Sequence, residues 1–343
     1  MNEVSLIGVT GYGGGELARL LARHPHVRLG AVVSDTYAGK PLSAAFPGLH
    51  GTPAGVLVCQ PKTVALAKLP GQIAFLAQES GYAMTVAQDL LDAGKLVVDL
   101  SADFRLKGAD AYRTFYKAQP ASDKLLSQAV YGLPELVGRE KLFGAKLIAN
   151  PGCYVTASSL ALAPLVQSNL VDKTGIVIDG KSGVSGAGRA KSDTIYRYSE
   201  MNETVRPYAV GGVHRHTPEI EMNVGATVTF TPHLVPMTRG ILASCYARTH
   251  SSAEELTDAL RLAYDGCPFV VVRDPGDFPS TKDVSASNFC HLSVAVDSRT
   301  NTAIIISAID NLVKGAAGQA VQNMNLALGL PETAGLEGGG LWP

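Results

Sequence analysis

Apolar residues along the chain fall into short runs, and the spacing of those runs changes near residue 150. Residues 4–8 read as a buried strand and 10–15 as a glycine-rich turn; Leu17, Leu20 and Leu21 then share one face of a helix that Pro25 ends. Apolar runs recur at 29–33, 73–77 and 96–100, separated by turns or by a helical stretch such as 84–93. Strands alternating with helical patterns predict crossover units, so residues 1–149 are expected to form a Rossmann-type α/β domain with a doubly wound parallel sheet. The second half differs. Strand patterns at 226–231, 241–247, 269–272, 291–296 and 303–308 follow one another, the last two joined by a hairpin turn at 297–301. Ser252 with Glu255 makes a capping box for a helix running to 264. Residues 150–312 are therefore expected to form an α+β domain with a mainly antiparallel sheet and helices on one face. A closing helix at 313–328 is expected to bring 313–343 back to the first domain.

Length agrees with this division, since 343 residues exceed one ordinary core and suit two domains of roughly 150 residues each. With 46% hydrophobic and 17% charged residues the chain can fill two interiors, which excludes a largely disordered protein. A formal net charge of -1 without Lys/Arg clusters argues against nucleic acid or a membrane surface as partner and favours a small soluble substrate. The N-terminal segment runs directly into a strand with no signal-peptide pattern, so a cytoplasmic protein is expected. Cys59, Cys153, Cys245, Cys267 and Cys290 are odd in number and well separated, with no CxxC pair, so reduced thiols and no cysteine metal site are expected.

Gly8, Gly11 and Gly14 form a GxxGxxG pattern between the first strand and first helix, either a tight structural turn or the cradle of a dinucleotide pyrophosphate. Ser34 and Asp35 end the second strand, where such folds meet the adenosine ribose. In Asn150-Pro151-Gly152-Cys153, a strand leads to a thiol at the start of a helical stretch over 155–165. That environment favours a thiolate nucleophile over the buried, inert thiol expected of the other four cysteines. Thr217 and Pro218 read as N-cap and first residue of a helix, with His216 just outside it; His214 and His216 share one face of the preceding segment. Zinc is not expected on those two histidines, because no third ligand stands at a recognisable spacing. Ser101 to Arg105 follows the strand at 96–100, and Arg105 is either a two-pronged ligand for phosphate or carboxylate or an exposed surface arginine. The glycine-rich segment 182–189, expected as a loop after a strand at 175–178, either lets backbone approach a cofactor or is a plain turn.

Together these segments resemble the N-acetyl-gamma-glutamyl-phosphate reductases of arginine biosynthesis, relatives of aspartate-semialdehyde dehydrogenase. The resemblance rests on GVTGYGGGEL at 8–17, AGKPL at 38–42, VDLSADFRL at 98–106, YGLPE at 131–135, NPGCYVTA at 150–157, SGVSGAGR at 182–189, HRHTPEIE at 214–221, FTPHLVPMTRGIL at 230–242 and NLVKGAAGQAVQNMN at 311–325. It implies NADPH-dependent reduction of N-acetylglutamyl 5-phosphate to the semialdehyde, with Cys153 forming a thioester and His216 as acid-base group. Cys153 backbone N–H would hold the oxyanion, and Arg105, His214, Tyr208 and Ser101 would bind substrate. The implied cofactor contacts are Gly8, Thr10, Gly11, Tyr12, Gly13, Gly14, Ser34, Ser182, Gly183 and Asn311, with no metal. Residues 150–312 would be the catalytic and dimerisation domain of a homodimer or homotetramer. Three readings compete: a lysine-pathway reductase acting on carrier-bound aminoadipyl phosphate, aspartate-semialdehyde dehydrogenase itself, and a non-catalytic dinucleotide-binding sensor. The chain departs from the family at Asp35, where an arginine is common and where a carboxylate would repel a 2'-phosphate; this leaves NAD open, while Ser34 and Lys40 would still favour NADP. It departs again at 78–81, QESG in place of LPHG.

Overall fold

In the computed structural model, which describes residues 1–189 and 193–341, the apolar runs of the first half become strands of one sheet. Strands β1 (Asn2–Ile7), β2 (Val27–Val33), β3 (Cys59–Gln60), β4 (Ile73–Leu76), β5 (Leu96–Asp99), β6 (Ala129–Tyr131) and β7 (Leu147–Ala149) lie in the order β3-β2-β1-β4-β5-β7-β6. Every pairing among them is parallel. β4, β5 and β7 are buried at each residue, which explains why they read as unbroken apolar runs rather than as alternation. The helices of this part are α1 (Tyr12–Leu21), α2 (Ala83–Asp92), α3 (Ala109–Tyr116), α4 (Asp123–Gln128) and the single turn α5 (Pro134–Val137). The order of connection reverses on either side of β1, and open parallel sheets collect ligands at that point. The short edge strands β3 and β6 and the short helices α3 and α4 span too few residues for a periodic pattern to stand out in the sequence.

The second unit contains α6 (Cys153–Gln167), β8 (Ile176–Gly183), α7 (Tyr198–Met201), β9 (Arg206–Pro207), α8 (Thr217–Val224), β10 (Val228–Val235), β11 (Ile241–Arg248), α9 (Ala253–Ala263), β12 (Val270–Val272), β13 (Cys290–Asp297) and β14 (Thr302–Ile309). Its sheet runs β12-β13-β14-β11-β8-β10-β9; β8 with β10 and β12 with β13 are parallel, and the other four pairings antiparallel. The sheet is thus mixed and mainly antiparallel. β10 alternates buried and outward positions, with Val228, Phe230 and Leu234 inward. The capping box opens α9, with Ser252 Oγ accepting from Glu255 N–H and the Glu255 carboxylate accepting from Ser252 N–H. α6 is different in kind: residues Tyr154 to Val166 are all buried, and the helix packs against α8, α9, β11 and β14. A helix apolar on all sides belongs inside a core, and here it carries the candidate nucleophile at its first residue.

β8 runs to Gly183, so Ser182 and Gly183 end a strand, and the expected loop begins later, as a 3-10 turn over Val184–Ala187. The cause is register: the ladder with β11 continues to Ser182 and that with β10 to Gly183. After β14 a single π-helical turn, Val313–Ala317, precedes α10 (Gly318–Ala327), where the sequence suggested one continuous helix.

By contacts the chain divides into Met1–Pro151 with Ala316–Glu337, and Gly152–Gly315 with residues from Gly338 onward. The returning segment is therefore narrower than 313–343, and positions 342 and 343 lie outside the described residues. Within the first unit α10 packs on α1 and β5. Asn323 donates to the Gly132 carbonyl at 2.8 Å and to Asn150 at 2.9 Å, and Asn325 meets buried His24 at 3.0 Å. Among the described residues no helix is long and apolar enough to cross a membrane.

Candidate active site

Gly152 is the N-cap of α6, with extended backbone and no side chain to occupy the first-turn N–H groups, and that turn holds no acid. Cys153, half-buried at the first helical position, therefore faces the positive end of a helix, an environment that favours a thiolate. His216 is the N-cap of α8, one position further in than the sequence suggested. Its carbonyl accepts the first helical bond from Ile220 N–H at 2.9 Å, and Thr217 and Pro218 follow as the first helical residues. An ideal Cβ on residue 152 would lie 2.5 Å from His216 Nε2. The imidazole thus occupies the space that any side chain at 152 would need, directly beside the cysteine. Glu219, fully buried in the first turn of α8, fixes the same spot by accepting the Gly152 N–H through Oε1 at 3.1 Å.

His214 differs from His216. Its Nδ1 accepts the His216 backbone N–H at 3.1 Å, which puts the ring proton on Nε2. Burial, with the Arg215 guanidinium adding, holds its pKa down to about 4. The ring is packed at 4.9 Å from His216, 5.5 Å from Tyr208, 5.8 Å from Tyr154 and 5.2 Å from Phe230, measured between centroids. Burial pushes the phenols of Tyr154 and Tyr208 above their ordinary range; their hydroxyls interact, and Tyr154 donates to the His233 carbonyl at 3.1 Å. The π-helical turn packs against Cys153 as well. A Cβ on Gly315 would come within 2.7 Å of Cys153 Cβ, so backbone packs directly on the cysteine. The turn is closed by Gly315 N–H to the Asp310 carbonyl at 2.9 Å, and the buried Asp310 carboxylate accepts from Leu312, Val313 and Ala286 N–H and faces Arg239 at 3.4 Å.

In the first unit the glycine motif has two kinds of member. A Cβ on Gly8 would lie 2.3 Å from the Ala77 carbonyl oxygen, and one on Gly14 2.3 Å from that of Gly8, so packing of strand against turn demands both. Gly11 and Gly13 meet nothing nearer than 3.7 Å and 4.0 Å, which leaves their surroundings open. Gly11 caps α1 without a side chain, half-exposed Tyr12 begins the helix, and the first turn holds no acid. These features suit a bound pyrophosphate. Thr10 and Ser34 hydroxyls share a 2.8 Å hydrogen bond, and Asp35 accepts the Lys62 N–H at 2.7 Å.

Ser101 is tied to Asp99 through both its N–H (2.9 Å) and its hydroxyl (2.7 Å). Burial, with Asp103 nearby, pushes the Asp99 pKa up to about 7. Arg105 is buried and donates to the Leu100 carbonyl at 2.7 Å, which rules out the exposed surface arginine. Asp103 accepts from Gly81 N–H (2.7 Å), Met84 N–H (3.0 Å) and Tyr112 hydroxyl (3.1 Å), so the unusual QESG segment is anchored at the start of α2. In the second unit the Ser182 hydroxyl donates to the Gly183 carbonyl at 3.0 Å. Asn311 accepts from Gly240 N–H at 2.7 Å and donates to Ser185 at 3.0 Å, bracing the turn after β8.

Residues 3–145 match the family model described as semialdehyde dehydrogenase, NAD binding domain, and residues 153–311 match semialdehyde dehydrogenase, dimerisation domain. The N-acetyl-gamma-glutamyl-phosphate reductase of Desulforamulus reducens is 47% identical and that of Geobacter sulfurreducens 49%, each alignment covering 100% of both chains. This chain belongs to that reductase family. The fold of this family member is shared with more distant solved structures. Aspartate semialdehyde dehydrogenase II from Vibrio cholerae, complexed with ASA, superposes with a TM-score of 0.72 at 18% identity, covering 95% of this chain and 98% of its own. The Candida albicans aspartate semialdehyde dehydrogenase with NADP gives 0.65 at 16%, covering 95% and 98%.

In this reductase-family chain the second unit gathers Cys153, His214, His216 and Tyr208 into one cluster; Ser182, Gly183 and Asn311 brace a turn of the same unit. Gly8, Thr10, Gly11, Tyr12, Gly13, Gly14, Ser34, Ser101 and Arg105 all belong to the first unit. Sequence reasoning passed over Tyr154, Glu219, Asp310, Gly315 and Lys62. Tyr154, Glu219 and Gly315 stand inside quoted motifs, but their partners are distant in sequence, and no local spacing marks Asp310 or Lys62. Among the described residues no group of three or more His, Cys, Asp or Glu is placed to hold a metal.

Proposed function

We propose that this chain reduces N-acetyl-L-glutamyl 5-phosphate to N-acetyl-L-glutamate 5-semialdehyde in arginine biosynthesis, using NADPH and a Cys153 thioester. The observation that carries the reading is His216 Nε2 filling the side-chain space of Gly152, beside a cysteine at a helix start. His216 takes the thiol proton, the Cys153 thiolate attacks the acyl carbon, and the C–O bond to phosphate breaks as His216 returns the proton to the leaving group. Bound NADPH supplies the hydride that reduces the thioester. The resulting alkoxide is held by N–H groups at the start of α6 until the carbon–sulfur bond breaks, releasing the aldehyde and restoring the thiolate. His214, Tyr208 and Ser101 are assigned to substrate, and Arg105 to its phosphate; His214 donates from Nε2 because its Nδ1 is already engaged. The match to a dimerisation domain supports a homodimer or homotetramer.

The test is Cys153→Ala, expected to abolish turnover while NADP+ still binds. Wild type incubated with acyl phosphate and no NADPH should gain the mass of the acyl group on intact-protein mass spectrometry. Turnover by the variant above about one per cent of wild type would assign the attack to another group.

A further inference from the structure

The adenosine end of the first unit holds an arrangement that the glycine motif and the family resemblance leave unexplained. β2 and β3 pair in parallel with Val33 opposite Gln60, so two residues beyond each strand the chain brings Asp35 and Lys62 side by side. Ser34 N–H donates to the Gln60 carbonyl at 2.8 Å, which extends the pairing toward that point. Asp35 Oδ1 accepts the Lys62 backbone N–H at 2.7 Å, and Oδ2 lies 3.9 Å from the Lys62 ammonium. The ammonium also stands 5.4 Å from the centroid of the Tyr82 ring. Lys62 is therefore positioned by both the carboxylate and the ring.

An acid at the end of the second strand ordinarily accepts from the ribose 2'-hydroxyl and so selects NAD, whereas a 2'-phosphate needs a cation there. Asp35 does not fit the first role well, because one of its oxygens is taken by a backbone N–H and the other faces a lysine. We infer that Lys62 is the residue that recognises the 2'-phosphate of NADP, with Asp35 acting as its tether rather than as a ribose ligand. This rests on the NADPH reading proposed above. The pair carries no net charge, so the repulsion a lone carboxylate would exert is cancelled, and Ser34, hydrogen-bonded to Thr10, adds a hydroxyl on the same edge. Lysine suits the task as a compact point charge that reaches a phosphate without a fixed fork geometry.

Calorimetric titration of NADP+ and NAD+ into wild type, Lys62→Ala, Lys62→Arg and Asp35→Ala at fixed ionic strength tests this without turnover. Lys62→Ala should weaken NADP+ about tenfold to a hundredfold and NAD+ less than about threefold, the latter also reporting that the variant is folded. Lys62→Arg should keep most of the preference, and Asp35→Ala should weaken NADP+ about two- to fivefold by freeing the lysine. Raising salt should shrink the wild-type preference more than that of Lys62→Ala. An unchanged NADP+/NAD+ ratio in Lys62→Ala would overturn the inference and leave the proposed reaction standing. A tenfold gain in NADP+ affinity in Asp35→Ala would overturn the tether and restore Asp35 as a repelling charge. Wild type that binds NAD+ more tightly than NADP+ would instead defeat the NADPH reading itself.

Discussion

His214 and His216 carry the same side chain two positions apart, and their surroundings separate their chemistry. The His214 ring spends Nδ1 on a backbone N–H and is held neutral by burial, so it is a donor with no basic nitrogen left at neutral pH. His216 presents Nε2 at the Gly152 Cα, within the cluster that surrounds Cys153. His216→Asn should therefore lower kcat by about 10² to 10⁴-fold, the usual contribution of a general acid-base group. His214→Asn should act mainly on KM, because it removes a positioning contact. Steady-state kinetics of the two variants decides between them, and the reverse pattern would exchange their roles. The residue types were legible in HRHTPE, but the division of labour was not, since it depends on which ring nitrogen a backbone N–H reaches.

At the scale of elements, the site is where two helix starts meet Gly315 of the π-helical turn within the second unit. The first two follow from local chemistry: glycine caps α6, and Pro218 stands in the first turn of α8, where a missing N–H costs nothing. The π-helical turn does not follow from local preference. It is held by Asp310, whose carbonyl and carboxylate accept four N–H groups, and its effect is to press Gly315 onto Cys153. An added methyl at 315 must move the nucleophile or the turn, and a shift near 1 Å can cost about a hundredfold in rate. Gly315→Ala is thus expected to lower kcat about ten- to a hundredfold, with a parallel drop in the iodoacetamide alkylation rate of Cys153 and unchanged NADP+ binding. Normal alkylation and turnover would show that the turn yields instead.

At the scale of the whole molecule, acid affects the two units through different groups. In the second unit, His214 and His291 are neutral in the fold because burial lowers their pKa. The unfolded chain then binds more protons below pH 6.5, and stability falls as pH drops from 6.5 toward the folded value, for His214 about 4. That one shift corresponds to roughly 3 kcal/mol. In the first unit His24 acts in the same direction, while Asp99 opposes it. With its folded pKa raised to about 7, Asp99 holds its proton more tightly in the fold, so its contribution improves as pH falls from 7 toward 4. The expected consequence is that Asp99→Asn raises stability by about 2–4 kcal/mol at pH 8, where the buried carboxylate is charged, and loses that advantage at pH 5.5. Chemical denaturation at the two pH values checks it, and an equal effect at both would mean that Asp99 does not titrate in the fold.

The sequence by itself determined the elements whose signals are local. The apolar runs of β1, β2, β4 and β5, the capping box of α9 and the glycine-led start of α6 each depend on residues a few positions apart, so periodicity and capping rules reach them. The same holds for Cys153, where glycine, cysteine and helix start are contiguous. Tertiary structure alone decided the rest, because it rests on contacts between residues tens to hundreds of positions apart. The parallel pairing of β8 with β10 carries Ser182 and Gly183 into a strand, and residues 316–337 return to the first unit. Glu219 meets Gly152, Gly315 meets Cys153, and Asp35 meets Lys62 only once the backbone has brought them together. Hydrophobic periodicity reports which face of an element is buried, and it says nothing of what that face is buried against.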